Sequence, residues 1–217
     1  MKEFEKLVEI VEILRSPQGC KWDRAQKLKN LKTYLLEETY ELIDALESKD
    51  TEKIKEELGD LFLILVFFSQ IFKEKKKFDV KEILEKINKK LIGRHPHVFG
   101  KKKLKNKEEI LNHWIKKKAK DKKRKTLIER LPKSAPSLLL SYLFFKESLH
   151  LRRKRNIDSL VEEINDFCKK LKGNLHKKLL VDLIVKIVEL SSYLNIDMEN
   201  LLRKKILSQA KKLTYFR

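Results

Sequence analysis

Apolar positions recur every three or four residues along almost the whole chain, the spacing of helices that each bury one face. Phe4, Leu7, Val8, Val11 and Leu14 outline a first helix over residues 3–14, ended by Ser16-Pro17-Gln18-Gly19. Cys20-Lys21-Trp22-Asp23-Arg24-Ala25-Gln26 sits in or just after that break. A second helix runs from about Lys29 to Glu47 and a third from Thr51 to about Lys75, and the short Ser48-Lys49-Asp50 connection makes them antiparallel neighbours. Asp79 and Glu82 form a capping box for a helix carrying Val80, Ile83, Ile87 and Leu91, while Asn106 and Glu109 open another that bears Trp114 and Lys118. Beyond Leu131-Pro132-Lys133-Ser134-Ala135-Pro136 come four more apolar segments, over 138–145, 158–171, 177–194 and 198–213. The pattern predicts an all-α helical bundle, and only 5 glycines and 4 prolines leave little turn material for a β fold.

Carboxylates interrupt this pattern where apolar side chains belong. Glu38 falls inside the stripe of Leu31, Leu35, Leu42 and Leu46, with Glu41 at its margin, and Glu57 falls among Ile54, Leu61, Ile64 and Phe68. Glu38-x-x-Glu41 and Glu57-x-x-Asp60 each place two carboxylates on one side of a helix, so the two pairs can converge on one point. Carboxylates on a buried face are costly without a cation or strong hydrogen bonds. Oxygen-only ligands suit a hard ion, Mg²⁺ or Mn²⁺, and no histidine lies in either acidic stretch to suggest zinc or a di-iron centre. Mg²⁺ is usually shared between carboxylates and substrate phosphates, so the cluster points to a phosphorylated substrate. A P-loop or other Gly-rich phosphate cradle is missing, which leaves metal and side chains to bind the phosphates.

Charge changes the picture less. The net charge is +20, with 39% charged and 41% hydrophobic residues, and the basic excess concentrates between Lys101 and Lys125. Few aromatics interleave these lysines, so a solvated surface explains them and a nucleic-acid partner is not expected. Cys20 and Cys168 are far apart and no secretory leader is evident, which makes the reducing cytoplasm the expected compartment. Leu61 to Phe72 is strongly apolar but shorter than the roughly 18 residues of a membrane span, so it reads as a helix buried on most sides, with a partner helix from another subunit. Gly59 inside that helix suggests close approach by another helix or a ligand beside Asp60.

Three motifs in order resemble the MazG-type nucleoside triphosphate pyrophosphohydrolases, which are all-α enzymes: Gly19 to Gln26, Glu37-Glu38-Thr39-Tyr40-Glu41 with Glu57-Leu58-Gly59-Asp60, and Arg94-His95-Pro96-His97-Val98-Phe99-Gly100. The resemblance covers about residues 4–120 and implies Mg²⁺-dependent cleavage of an NTP or dNTP to monophosphate and pyrophosphate. It implies that Glu38, Glu41, Glu57 and Asp60 hold the metal, and that one of them or Glu37 orients the attacking water. The resemblance implies further that Lys90, Arg94 and Lys118 bind phosphates, that Trp114 lies beside the nucleotide, and that Trp22, Asp23 and Gln26 contribute to the substrate pocket. A homodimer or larger assembly is implied as well. His95 and His97 read as structural turn residues, with Pro96 fixing a loop between them.

The expected organisation is a catalytic domain over 1–125 and a degenerate, inactive helical repeat over 126–217. Glu163 and Asp166 echo Glu38 and Glu41, and Leu179-Leu180-Val181-Asp182 echoes Glu57-Leu58-Gly59-Asp60, with Leu179 in place of a ligand and Ser208 where a basic residue is expected. Two other classes compete: a basic helical protein that binds nucleic acid, and a structural assembly protein without catalysis.

Overall fold

The computed structural model describes residues 2–122, 126–149, 156–173 and 176–214, and divides into two compact units, Met1–Trp114 and Ile115–Arg217. All regular structure among the described residues is helical, as the periodicity predicts. The first unit contains α1 (Lys2–Arg15), α2 (Lys21–Ala25), α3 (Leu28–Ser48), α4 (Thr51–Glu74), α5 (Val80–Arg94) and α6 (Pro96–Phe99), followed by the first half of α7 (Lys107–Lys122).

The hairpin of α3 and α4 is the frame of this unit. Lys49 closes α3 in the left-handed conformation at φ 58°, and Asp50 caps α4 by accepting from the Glu52 and Lys53 amides at 3.1 and 3.2 Å. The tight turn forces the two helices side by side. α1 packs on α4, and Val11, Leu31, Ile64, Val66, Phe67 and Ile71 form the core between the three helices. Asp79 caps α5 by accepting from the Glu82 amide at 3.0 Å.

Two short elements differ from expectation. Residues 21–25 form a helical turn rather than loop, and Pro96 starts the one-turn α6 rather than a loop, its ring supplying the fixed φ that a first helical position needs. Neither is long enough to show an apolar period. Gly19 is demanded by the entry into α2: a Cβ there would collide with the carbonyl oxygens of Ile13 and Leu14. The Cys20 amide bonds the Leu14 carbonyl at 2.8 Å, which folds the chain back onto the end of α1.

Arg15 locks that corner. Its guanidinium donates to both Glu74 carboxylate oxygens at 2.7 and 2.8 Å and to the carbonyls of Asp23 and Gln26 at 2.7 and 3.2 Å, tying α1, α2 and the end of α4. The hydrogen bond from Arg15, and then its charge, hold the Glu74 carboxyl below the ordinary carboxylate range against the opposing effect of burial. Arg15→Met is expected to lower unfolding stability by about 2 kcal/mol, less than a fully buried pair because Glu74 is partly solvated. A lowered folded-state pKa gives stability that is present above the unfolded value of about 4 and lost as pH falls through the folded one. Urea melts of wild type and Arg15→Met should therefore differ at neutral pH and converge towards pH 3; a constant gap would exclude the ion pair as the cause.

The second unit contains the 3-10 turn Ile128–Arg130, then α8 (Ser137–Leu149), α9 (Ile157–Gly173), α10 (Lys177–Tyr193) and α11 (Met198–Thr214). α10 packs on both α8 and α9, as α4 packs on α1 and α3. α11 packs on α8, whereas in the first unit α5 faces α1 across an apolar groove lined by Phe4, Val8, Val80 and Leu84. No described helix is long and apolar enough to cross a membrane.

Candidate metal centre

The hairpin brings three of the predicted carboxylates together. One oxygen each of Glu38, Glu41 and Glu57 lie within 4.8 Å of one another. Their settings differ as the helical wheel requires: Glu57 is buried at 6% exposure, Glu38 is half-buried and Glu41 is exposed. Asp60 lies outside the closest trio, one turn beyond Glu57 on α4, and Glu37 is exposed beside Glu38.

The carboxylates are close enough for their charges to act on one another. Desolvation raises the Glu38 pKa above its ordinary value, and the charges of Asp60, Glu41, Glu57 and Glu37 raise it further, in that order. Desolvation also raises that of Glu57, followed by Glu41; Lys53 opposes the rise. Asp60, the neighbouring charge with the largest effect on Glu38, therefore belongs to the same electrostatic site. Like charges held this close on a partly desolvated surface favour proton uptake or a shared cation. The donor set is all oxygen and is drawn from both helices of the hairpin. These residues fit a hard divalent ion.

Other predicted residues form a second group. Arg94, at 5% exposure, sets its guanidinium 5.6 Å from the centre of the Trp114 ring, bringing the end of α5 against α7. Lys90 is half-buried one turn earlier on the same face of α5. The His95 ring bonds the Leu91 carbonyl at 2.8 Å, fixing the α5–α6 corner beside Arg94. Neither Lys90 nor Arg94 is among the charges that most affect Glu38 or Glu57. The side chain of Lys118 lies outside the described residues.

Trp22, Asp23 and Gln26 stand elsewhere. Through Arg15 they are tied to Glu74, which is about 25 Å along α4 from Glu57 at a rise of about 1.5 Å per residue. Trp22 is 62% exposed there, while Gln26 is buried and donates to the Trp22 carbonyl at 3.3 Å. Within one chain these three residues lie at the open end of the hairpin, whereas the carboxylates lie further along it towards the Ser48–Asp50 turn. Lys53, one turn before Glu57, is the cation that sequence reasoning passed over; its i, i+4 spacing from Glu57 was the available signal.

Comparison with known proteins agrees with this geometry. Residues 26–99, which include the whole hairpin, match the MazG nucleotide pyrophosphohydrolase domain. The chain is 38% identical over 208 residues to a nucleoside triphosphate pyrophosphohydrolase/pyrophosphatase MazG of Thermotoga maritima, covering 93% of this chain and 80% of that one. It is 36% identical over 143 residues to a nucleoside triphosphate pyrophosphohydrolase of Escherichia coli, covering 64% of this chain and 54% of the relative. It is also 37% identical over 138 residues to the uncharacterized protein YabN of Bacillus subtilis, of which it spans only 28%. An all-α hairpin that gathers Glu38, Glu41 and Glu57, inside a matched domain and a relative aligned along nearly the whole chain, places this protein in the MazG nucleotide pyrophosphohydrolase family.

Proposed function

We propose that the chain hydrolyses nucleoside or deoxynucleoside triphosphates to the monophosphate and pyrophosphate in a Mg²⁺-dependent reaction centred on the α3–α4 hairpin. The observation that carries this reading is the convergence of Glu38, Glu41 and Glu57, whose neighbouring carboxylates raise the pKa of Glu38. Together with Asp60 they would hold Mg²⁺, or Mn²⁺ in its place. The ion would neutralise phosphate charge and lower the barrier to attack by polarising a P–O bond.

The protein's own share is positioning and charge. A carboxylate of the cluster, or Glu37 at its edge, orients a water and accepts its proton as the water oxygen bonds to phosphorus. The bond from that phosphorus to the oxygen bridging the α and β phosphates breaks, leaving monophosphate and pyrophosphate. Lys90, Arg94 and Lys118 supply positive charge to the triphosphate, and Trp114, already stacked on Arg94, offers a face to the nucleotide. Trp22, Asp23 and Gln26 form part of the nucleotide pocket only if a second copy brings its own set near the carboxylates, given their distance within one chain.

A homodimer or larger assembly fits the surface. Leu58, Phe62 and Leu65 lie on one stripe of α4 at 43–53% exposure, and no described residue stands within van der Waals reach of a Cβ built at Gly59. Among the described residues the expected close neighbour of Gly59 is not found, which leaves that space to a ligand or to a second copy. Leu65→Glu is expected to shift the protein towards monomer in light scattering after size exclusion, because it places charge in the middle of that stripe. An unchanged mass would remove this stripe from the interface. The second unit is read as a degenerate copy of the first, supported by the matching helix pairings and by Leu179 at the position of Glu57. The reaction is placed in the cytoplasm.

The decisive assay follows pyrophosphate and orthophosphate separately over a panel of NTPs and dNTPs, with Mg²⁺, with Mn²⁺ and with chelator. Pyrophosphate release that stops on chelation is expected. Orthophosphate as the first product, or turnover indifferent to chelation, would overturn the proposal, and no turnover alongside salt-sensitive nucleic-acid binding would favour a binding protein instead.

A further inference from the structure

The second unit contains an ionic cluster that the reaction leaves unused. The Lys186 ammonium donates to a Glu163 oxygen on α9 at 2.7 Å and to a Glu189 oxygen on its own helix at 2.8 Å, with the lysine side chain 21% exposed and that of Glu189 6% exposed. In the register that sets Glu163 at the position of Glu38 and Leu179 at that of Glu57, Lys186 and Glu189 stand where the first unit buries Ile64 and Phe67. Residues 179, 182, 186 and 189 share one face of α10. The charged layer of the hairpin has therefore moved along the helix and acquired its own cation.

We propose that Lys186 is a built-in counter-ion that takes over the task a divalent cation performs in the first unit, so that the α9–α10 hairpin needs no metal and admits none. Two carboxylates from facing helices must be compensated, and an ammonium on the same chain does this at any cation concentration. It also excludes a metal ion, because Glu163 is engaged and any ion entering beside it would meet the positive charge of Lys186. The first unit differs in this respect: its buried Ile64 and Phe67 can contribute no charge, and its carboxylates stay open to an ion from solution. This inference rests on the reading of the second unit as a degenerate copy, but its test does not depend on catalysis.

Hydrogen exchange of the full chain, followed peptide by peptide, separates the two units. Saturating Mg²⁺ or Mn²⁺ is expected to slow exchange in α3 and α4 and to leave α9 and α10 unchanged. Lys186→Met should speed exchange in α9 and α10 by on the order of tenfold or more without altering α3 and α4, since it strands two partly buried carboxylates. If that variant fails to fold, the triple change Lys186→Met, Glu163→Leu and Glu189→Leu should recover protection in α9 and α10, because an apolar layer replaces the ionic one. Cation-dependent protection of α9 and α10 in the wild type would overturn the proposal, as would unaltered exchange in Lys186→Met or failure of the triple variant to recover. Loss of pyrophosphate release would bear on the proposed function instead and leave this outcome readable.

Discussion

Glu57→Gln should reduce pyrophosphate release by roughly a thousandfold, the loss expected when a ligand of a catalytic cation is withdrawn. The same change should leave the cation-free protein folded and at least as resistant to heat as the wild type at neutral pH. Both effects follow from one position. Glu57 is the buried member of the trio, and desolvation together with the Glu41 charge raises its pKa, so its ionised form works against folding until a cation arrives. Glutamine keeps the shape and removes the charge. A variant that lost activity and stability together would point to a structural role for Glu57. One that kept turnover would remove it from the metal set, whatever its stability. Glu41 is exposed, so Glu41→Gln is the useful companion: a comparable loss of activity there cannot be attributed to packing.

The fold was legible because each helix displays its buried face in the sequence. Phe4, Leu7, Val8, Val11 and Leu14 predict the side of α1 that meets α4, and Val11 is the residue fully enclosed there. The carboxylates were legible for the opposite reason: Glu38 and Glu57 break an apolar stripe, and a violation of pattern that survives folding has to be compensated chemically. Elements without a period were missed. The five residues of α2 and the four of α6 are too short to repeat, and their conformations come from Gly19 against the end of α1 and from Pro96 at a helix start.

Long-range pairing was equally hidden. Arg15 and Glu74 are 59 residues apart, and neither side chain carries a local mark of its partner. The distribution of the family motifs over the hairpin escaped the sequence for the same reason: Gly19 to Gln26 lies close to Glu38 in the chain, yet Arg15 anchors it at the C-terminal end of α4. Lys186 illustrates a subtler limit. Alignment of the two halves drew attention to the lost ligand at Leu179, whereas the compensating charge sits two turns further along the same face.

Adding Mg²⁺ or Mn²⁺ should raise the melting temperature of the wild-type chain at pH 8 by roughly 5–10 °C, and by far less at pH 5. The size follows from linkage, since a ligand at about a hundred times its dissociation constant adds about 2.7 kcal/mol to the folded state. The pH dependence follows from the direction of the shifts at Glu38 and Glu57. Both folded-state pKa values lie above the ordinary carboxylate value, chiefly through desolvation and then through neighbouring carboxylates. For such groups the stability contribution is greatest below the unfolded pKa and is lost as pH rises through the raised folded one. The cation-free protein is thus penalised more at pH 8 than at pH 5, through the charged forms of Glu38 and Glu57. The ion binds that ionised form, so its effect is largest where the penalty is largest and fades in acid as protons take its place. Thermal melts at pH 5, 6.5 and 8, with and without cation, are the measurement, with Glu57→Gln run in parallel. The variant should begin from a higher cation-free melting temperature at pH 8 and gain little from either metal. A cation effect equal at all three pH values, or equal in the variant, would mean that the ion acts somewhere other than Glu38, Glu41 and Glu57.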